Sequence, residues 1–143
     1  MDYQMRKVMF SSMKGDWATP KDLYDQLDQE FHFTVDVCAN SDTAKHTKFW
    51  TGDSGLYRAW DTEICFMNPP YGKDIKLWIH KAHVQARDFY TLTVALLPAR
   101  TDTEWFWGDI LQQRYEIRLI KGRLKFSGHK NSAPFPSMIV IFR

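Results

Sequence analysis

Residues 63–71 read EICFMNPPY, an apolar run followed by two consecutive prolines. The run at 63–67 is typical of a buried strand. The prolines cannot continue a central strand because proline has no N–H to donate to a neighbour. The chain must therefore turn at 68–71. Short apolar runs at 32–38 and 91–97 predict two further strands of the same kind.

Helical patterns separate these strands. A first helix of about three turns is predicted from Pro20, with Thr19 as its cap and apolar residues recurring every four positions. A second helix is predicted over 74–89. A third follows a capping-box pattern at Thr101 and runs to about residue 112.

Two closing strands are predicted at 115–120 and 137–142, and they should pair antiparallel because no helix is predicted between them. Alternating strands and helices indicate an α/β domain with a mostly parallel sheet and a C-terminal antiparallel strand. We expect residues 1–15 to form a loose arm and 16–143 a single domain with no separate target-recognition domain. Segment 39–62 is too short for the two strand–helix units that a full fold of this type would place there.

Ligands of such sheets bind at the carboxyl ends of the strands. Residues 36–39 and 68–71 both follow predicted strands, so we expect them to meet at one edge of the sheet. The Asn68 side-chain oxygen and the Pro69 carbonyl would then form a rigid pair of hydrogen-bond acceptors, suited to a primary amine on a planar ring. Tyr71 could stack on that ring. A strand-ending turn with an ordinary asparagine cap is the alternative.

Bulk composition narrows the class of protein. No apolar run is long enough to span a membrane and no signal peptide is evident, so a cytoplasmic protein without membrane contact is expected. The two cysteines are expected to be reduced and to pack in the interior, and no metal site is expected. The net charge is only +2, but segment 114–130 carries six cations and one acid. That segment could face phosphate or form a solvated edge.

The tetrapeptide at 68–71 resembles motif IV of amino-group methyltransferases, [D/N/S]-P-P-[Y/F/W]. From about residue 16 to 143 the chain resembles the phage-type, Dam-like DNA N-6-adenine methyltransferase family. The resembling pieces occur in order: WATP at 17–20, VDVCAN at 35–40, LYRAW at 56–60, NPPYG at 68–72, LPARTDT at 97–103 and GRLKF at 122–126.

The resemblance implies a compact Rossmann-like methyltransferase fold that transfers a methyl group from S-adenosylmethionine to the exocyclic amine of a flipped adenine in DNA. It implies a monomer or homodimer in the cytoplasm of a bacterial host, with a phage or prophage origin. The catalytic residues would be Asn68, Pro69, Pro70 and Tyr71. The cofactor residues would be Trp17, Thr19, Pro20, Asp36, Cys38, Ala39, Asn40, Asp53 and Asp61. The DNA contacts would be Lys73, Arg100, Arg123, Lys125 and Phe126.

Several of these residues have plainer readings. Thr19 could be a simple helix cap, Asp36 a buried hydrogen-bonded carboxylate, Asp53 or Asp61 a turn acid, and Phe126 a core residue. The glycines usual in motif I are absent, since none occurs between Gly15 and Gly52.

Two rival functions stay open. The same tetrapeptide would suit an RNA base or a protein glutamine amide, although those families usually carry a glycine-rich motif I. The short 39–62 segment would suit a DNA-binding relative that has lost turnover.

Overall fold

Three helices and six strands alternate along residues 17–143, the part of the chain that the computed structural model describes. The arm predicted for residues 1–15 lies outside it. The strands are β1 (Val35–Ala39), β2 (Phe49–Thr51), β3 (Ile64–Met67), β4 (Leu92–Pro98), β5 (Glu116–Leu119) and β6 (Ser137–Phe142). The helices are α1 (Lys21–Phe31), α2 (Ile75–Phe89) and α3 (Glu104–Phe106), the last continued by a π-helical turn at Trp107–Leu111. None of the helices described is long and apolar enough to cross a membrane.

The strands form one sheet in the order β2-β1-β3-β4-β6-β5. Strands β2, β1, β3 and β4 run parallel to one another. Strand β6 lies between β4 and β5 and is antiparallel to both. Every residue of β6 is buried, in keeping with the apolar run at 138–142 that follows Ser137. The sheet confirms the predicted α/β class, with its mostly parallel order and antiparallel C-terminal strand.

Segment 39–62 contains a strand that the sequence pattern did not reveal. Three residues, 49–51, form β2 on the outer edge of β1, and a 3₁₀ turn follows at Ser54–Tyr57. The Asp36 N–H donates to the Lys48 carbonyl at 3.0 Å and ties the two strands together. This segment therefore replaces the two strand–helix units of a longer fold with one edge strand and one turn.

The predicted capping arrangements at two helix starts are wrong. Helix α1 begins at Lys21, with Pro20 at the capping position and no side-chain cap. Thr19 does not cap it, because its hydroxyl accepts a hydrogen bond from Asn68 instead. Helix α3 begins two residues later than its capping-box pattern predicts, since the Thr103 hydroxyl accepts from the Phe106 N–H at 3.3 Å.

The core has a tightly packed region beneath β1. Trp60 is fully buried, and its indole N–H donates to the Gly55 carbonyl at 2.8 Å. The Trp60 amide donates to the buried side chain of Gln85 on α2 at 3.2 Å. These bonds fasten the 3₁₀ turn between β1 and α2, and they position the strand end that leads to the site.

Candidate active site

A cavity of about 330 Å³ lies at the carboxyl ends of β1 and β3. Its wall is made by the end of β1, the turn after β3 and the segment of residues 17–19. The lining residues are Trp17, Ala18, Thr19, Asp36, Cys38, Ala39, Asn40, Thr43, Gly52, Asn68, Pro69 and Pro70. The structure thus brings together the two strand ends that the sequence analysis expected to meet.

The Asn68 side chain is held by two hydrogen bonds from its amide nitrogen. Nδ2 donates to the Trp17 carbonyl at 2.6 Å and to the Thr19 hydroxyl at 3.0 Å. A backbone carbonyl can only accept, so the –NH2 group and not the oxygen must face Trp17. The orientation of the amide is therefore determined by its surroundings.

Two polar atoms that belong to lining residues of this cavity are buried and make no hydrogen bond within residues 17–143. They are the Asn68 Oδ1, which can only accept, and the Trp17 Nε1, which can only donate. Leaving such atoms unpaired costs about 1–3 kcal/mol each, so a ligand that pairs with them gains binding free energy.

Among the lining residues within 17–143, Asp36 has the one charged side chain, and it is only 2% exposed. Its carboxylate accepts from the Lys45 N–H at 3.1 Å and from the Cys38 N–H at 3.4 Å. Burial raises the pKa of Asp36 to about 6, although these two backbone N–H groups oppose the shift. The cavity therefore presents a buried carboxylate that a positively charged ligand would stabilise.

The raised pKa of Asp36 predicts a dependence of stability on pH. The folded-state pKa of about 6 lies above the ordinary value of 3.8, so the folded protein binds the proton more tightly. The resulting stabilisation is fully present below pH 3.8 and is lost as the pH rises through 6. Between pH 8 and pH 5, the free energy of unfolding of the wild type should gain about 1.4 kcal/mol over that of Asp36→Asn. Urea titrations of both proteins at the two pH values measure this difference, and equal pH responses would contradict it.

Pro69 and Pro70 line the cavity, but Tyr71 does not. The Tyr71 side chain is fully buried, and its hydroxyl donates to the Leu96 carbonyl at 3.0 Å. Its ring lies edge-on to Phe135 at 5.4 Å. Burial raises its pKa well above the usual value, so the hydroxyl stays protonated. In this arrangement the ring fastens the turn to the core and offers no free face to a base.

The other cofactor predictions divide into two groups. Cys38, Ala39 and Asn40 line the cavity, as do Trp17, Thr19 and Asp36. Pro20, Asp53 and Asp61 are not among the lining residues. Ala18, Thr43 and Gly52 also line the cavity and were not predicted from the sequence. Thr43 could have been found, because the Asn40 side-chain oxygen accepts from the Thr43 N–H at 3.0 Å in a turn that NSDT at 40–43 favours.

The predicted DNA contacts are scattered outside the cavity. Lys73, Arg123 and Lys125 are exposed and Arg100 is half-buried. Phe126 is 1% exposed and therefore lies in the core, which was the alternative role considered for it from the sequence.

Part of the basic segment 114–130 is neutralised. The Arg118 guanidinium donates to both carboxylate oxygens of Glu30 at 2.7 Å, and to Glu116 as well.

Comparison with known proteins places the chain in a family. The model of the DNA N-6-adenine-methyltransferase (Dam) family matches residues 8–143. The chain belongs to this family. Among curated proteins it is similar to the DNA N-6-adenine-methyltransferase of Haemophilus phage HP1 (strain HP1c1), with 27% identity over 139 residues. That alignment covers 92% of this chain and 80% of the phage protein. The resemblance read from the sequence motifs is confirmed.

Proposed function

We propose that this chain methylates the N6 amine of adenine in DNA and takes the methyl group from S-adenosylmethionine. The observation that carries the proposal is the Asn68 amide. Its nitrogen is fully engaged by Trp17 and Thr19, and its buried oxygen has no partner within residues 17–143. An exocyclic amine supplies the N–H donor that this oxygen lacks.

The cavity fits the proposed cofactor in charge and in hydrogen bonding. S-adenosylmethionine supplies an electrophilic methyl group on a positively charged sulfonium. The buried carboxylate of Asp36 lies in the cavity wall and would be stabilised by a positive charge. The Trp17 indole N–H, which has no partner within residues 17–143, would donate to the cofactor's carboxylate. The residues that would hold the cofactor are therefore Trp17, Asp36 and the β1 end at 38–40.

Asn68 and Pro69 would act on the base. Their two oxygens would accept the N–H groups of the amine, orient its lone pair and favour the positive charge that develops on nitrogen. A base inside a duplex cannot reach this cavity, so the adenine would be flipped out at a cost of a few kcal/mol. Lys73, Arg100, Arg123 and Lys125 would contact phosphate around it.

The two cysteines support direct transfer without a covalent intermediate. Burial raises the pKa of both Cys38 and Cys65 to about 12, so each thiol stays protonated at neutral pH. A protonated thiol is a poor nucleophile. The adenine amine would be the nucleophile itself.

The experiment offers purified protein and labelled S-adenosylmethionine to three acceptors: adenine-containing DNA, RNA and protein. We expect label in DNA, with N6-methyladenine as the product by mass spectrometry. Sequencing the modified adenines then shows whether methylation is site-specific or relaxed. Label in RNA or protein alone would overturn the DNA assignment.

Absence of cofactor binding by calorimetry would instead favour the rival function, a DNA-binding relative without turnover. The short 39–62 segment, with one strand and one turn beside the cavity, is the feature that motivates that test.

A further inference from the structure

We propose that Thr19 is a positioning residue that holds the Asn68 amide in its reactive orientation, a role distinct from gripping the cofactor. The inference rests on the proposed function, because it assigns a task to Asn68. It starts from the Thr19 hydroxyl, which lies 3.0 Å from Asn68 Nδ2 and accepts its hydrogen bond.

The hydrogen-bond count around Asn68 leaves one stable orientation. The –NH2 group has two donors, and the Trp17 carbonyl and the Thr19 hydroxyl supply two acceptors. Rotating the amide by half a turn would place Oδ1 against the Trp17 carbonyl, so that two acceptors would face each other. The Trp17 carbonyl selects this orientation, and the Thr19 hydroxyl restricts the motion of the amide within it. Removal of the Thr19 hydroxyl would leave one N–H of a partly buried amide unpaired and the side chain freer to move.

Thr19 is itself held rigidly, as a positioning residue must be. It is 2% exposed, and its carbonyl accepts from the Ser127 hydroxyl at 3.1 Å. The Ser127 N–H donates to the Ala18 carbonyl at 3.0 Å, within an antiparallel bridge between these two residues. Segment 17–19 is thus fastened to Asn68 on one side and to Ser127 on the other.

This geometry also explains why Thr19 leaves the start of α1 uncapped. Helix α1 has no side-chain cap, which forfeits a stabilisation that a threonine commonly provides. The hydroxyl bonds to Asn68 instead, and Asn68 is 49 residues away in the sequence.

The experiment compares four variants with the wild type. Thr19→Val removes the acceptor at nearly constant shape, and Thr19→Ser restores it. Thr91→Val makes the same change at another threonine that is 2% exposed, outside the cavity lining. Ser127→Ala loosens segment 17–19 without touching Asn68.

We expect Thr19→Val to lower kcat about tenfold, a loss of the size that one intramolecular hydrogen bond contributes, while the cofactor Kd from calorimetry stays constant. Thr19→Ser should recover most of the rate, and Thr91→Val should match the wild type. Ser127→Ala should lose less activity than Thr19→Val. The positioning role would be overturned if kcat is unchanged in Thr19→Val, whether or not the cofactor Kd rises. It would also be overturned if Ser127→Ala loses as much activity as Thr19→Val.

A readout without catalysis separates this inference from the proposed function. The side-chain –NH2 signals of Asn68 in ¹⁵N NMR are assigned by their loss in Asn68→Ala. We expect slow proton exchange for them in the wild type and Thr91→Val, and faster exchange in Thr19→Val. If proton exchange stays slow in Thr19→Val, the positioning role of Thr19 is overturned even when the enzyme is active. If exchange is faster in Thr19→Val but the wild type does not methylate DNA, the hydrogen bond from Asn68 to Thr19 is upheld and the proposed function is rejected.

Discussion

We expect Asn68→Ala to lower the rate of methyl transfer to DNA by about 100- to 1,000-fold, the usual effect of removing one preorganised polar group from a transition state. The substitution deletes the buried acceptor oxygen that has no partner within residues 17–143. It also deletes the –NH2 group that ties the turn after β3 to Trp17 and Thr19. Single-turnover incorporation of label into DNA, at saturating cofactor, measures the chemical step.

Two further variants test the reason for this loss. Asn68→Asp keeps an acceptor oxygen but places a carboxylate against the Trp17 carbonyl, so we expect it to lose activity and also stability. Asn131→Ala removes an exposed asparagine that is absent from the cavity lining and should leave the rate unchanged. Wild-type activity in Asn68→Ala would show that the acceptor pair does not drive methyl transfer.

We expect Gly55→Ala to lower the free energy of unfolding by about 3 kcal/mol, at the upper end of the usual cost of overpacking a core. A Cβ at Gly55 would lie 2.3 Å from the Val37 carbonyl oxygen and 3.0 Å from the ring of Trp78. Neither neighbour can move easily, because Val37 lies in β1 at 0% exposure and Trp78 is 1% exposed. The added methyl must therefore displace the turn or the strand.

The same substitution should disturb the cavity, because Val37 is followed by two lining residues, Cys38 and Ala39. We expect a higher KM for the cofactor as well as the lower stability. Gly108→Ala is the matched control, since its Cβ would have no neighbour within 4 Å and its φ is not positive. Urea unfolding of both variants measures the difference, and equal stabilities would refute the predicted overpacking at Gly55.

The sequence predicted those strands, helices and turns that depend on a local pattern of residues. Apolar runs located β3, β4 and β6, and recurring apolar positions located α1 and α2. The two prolines at 69–70 located the turn after β3. Strand β2 escaped notice because three residues are too few for a period to show, and its place in the sheet depends on pairing with β1.

The roles of single side chains were less visible, since they depend on neighbours distant in the sequence. Tyr71 and Phe126 have the residue type of base-stacking groups, yet both lie in the core, where they face each other edge-on at 6.3 Å. Pattern alone could not distinguish an aromatic ring that meets a base from one that packs inside. Only the folded chain shows how much of each ring is exposed.

The amino-acid sequence by itself determined the α/β class, the turn at 68–71 and the resemblance to the DNA N-6-adenine-methyltransferases. These follow from periodicity, from the missing N–H of proline and from motif order, all of which are properties of the linear chain. The tertiary structure alone decided that Thr19 bonds to Asn68 and that Asp36 is buried with a raised pKa. Hydrogen-bond partners and burial depend on which distant segments meet in space. Here they determine which atom of Asn68 has no partner within residues 17–143.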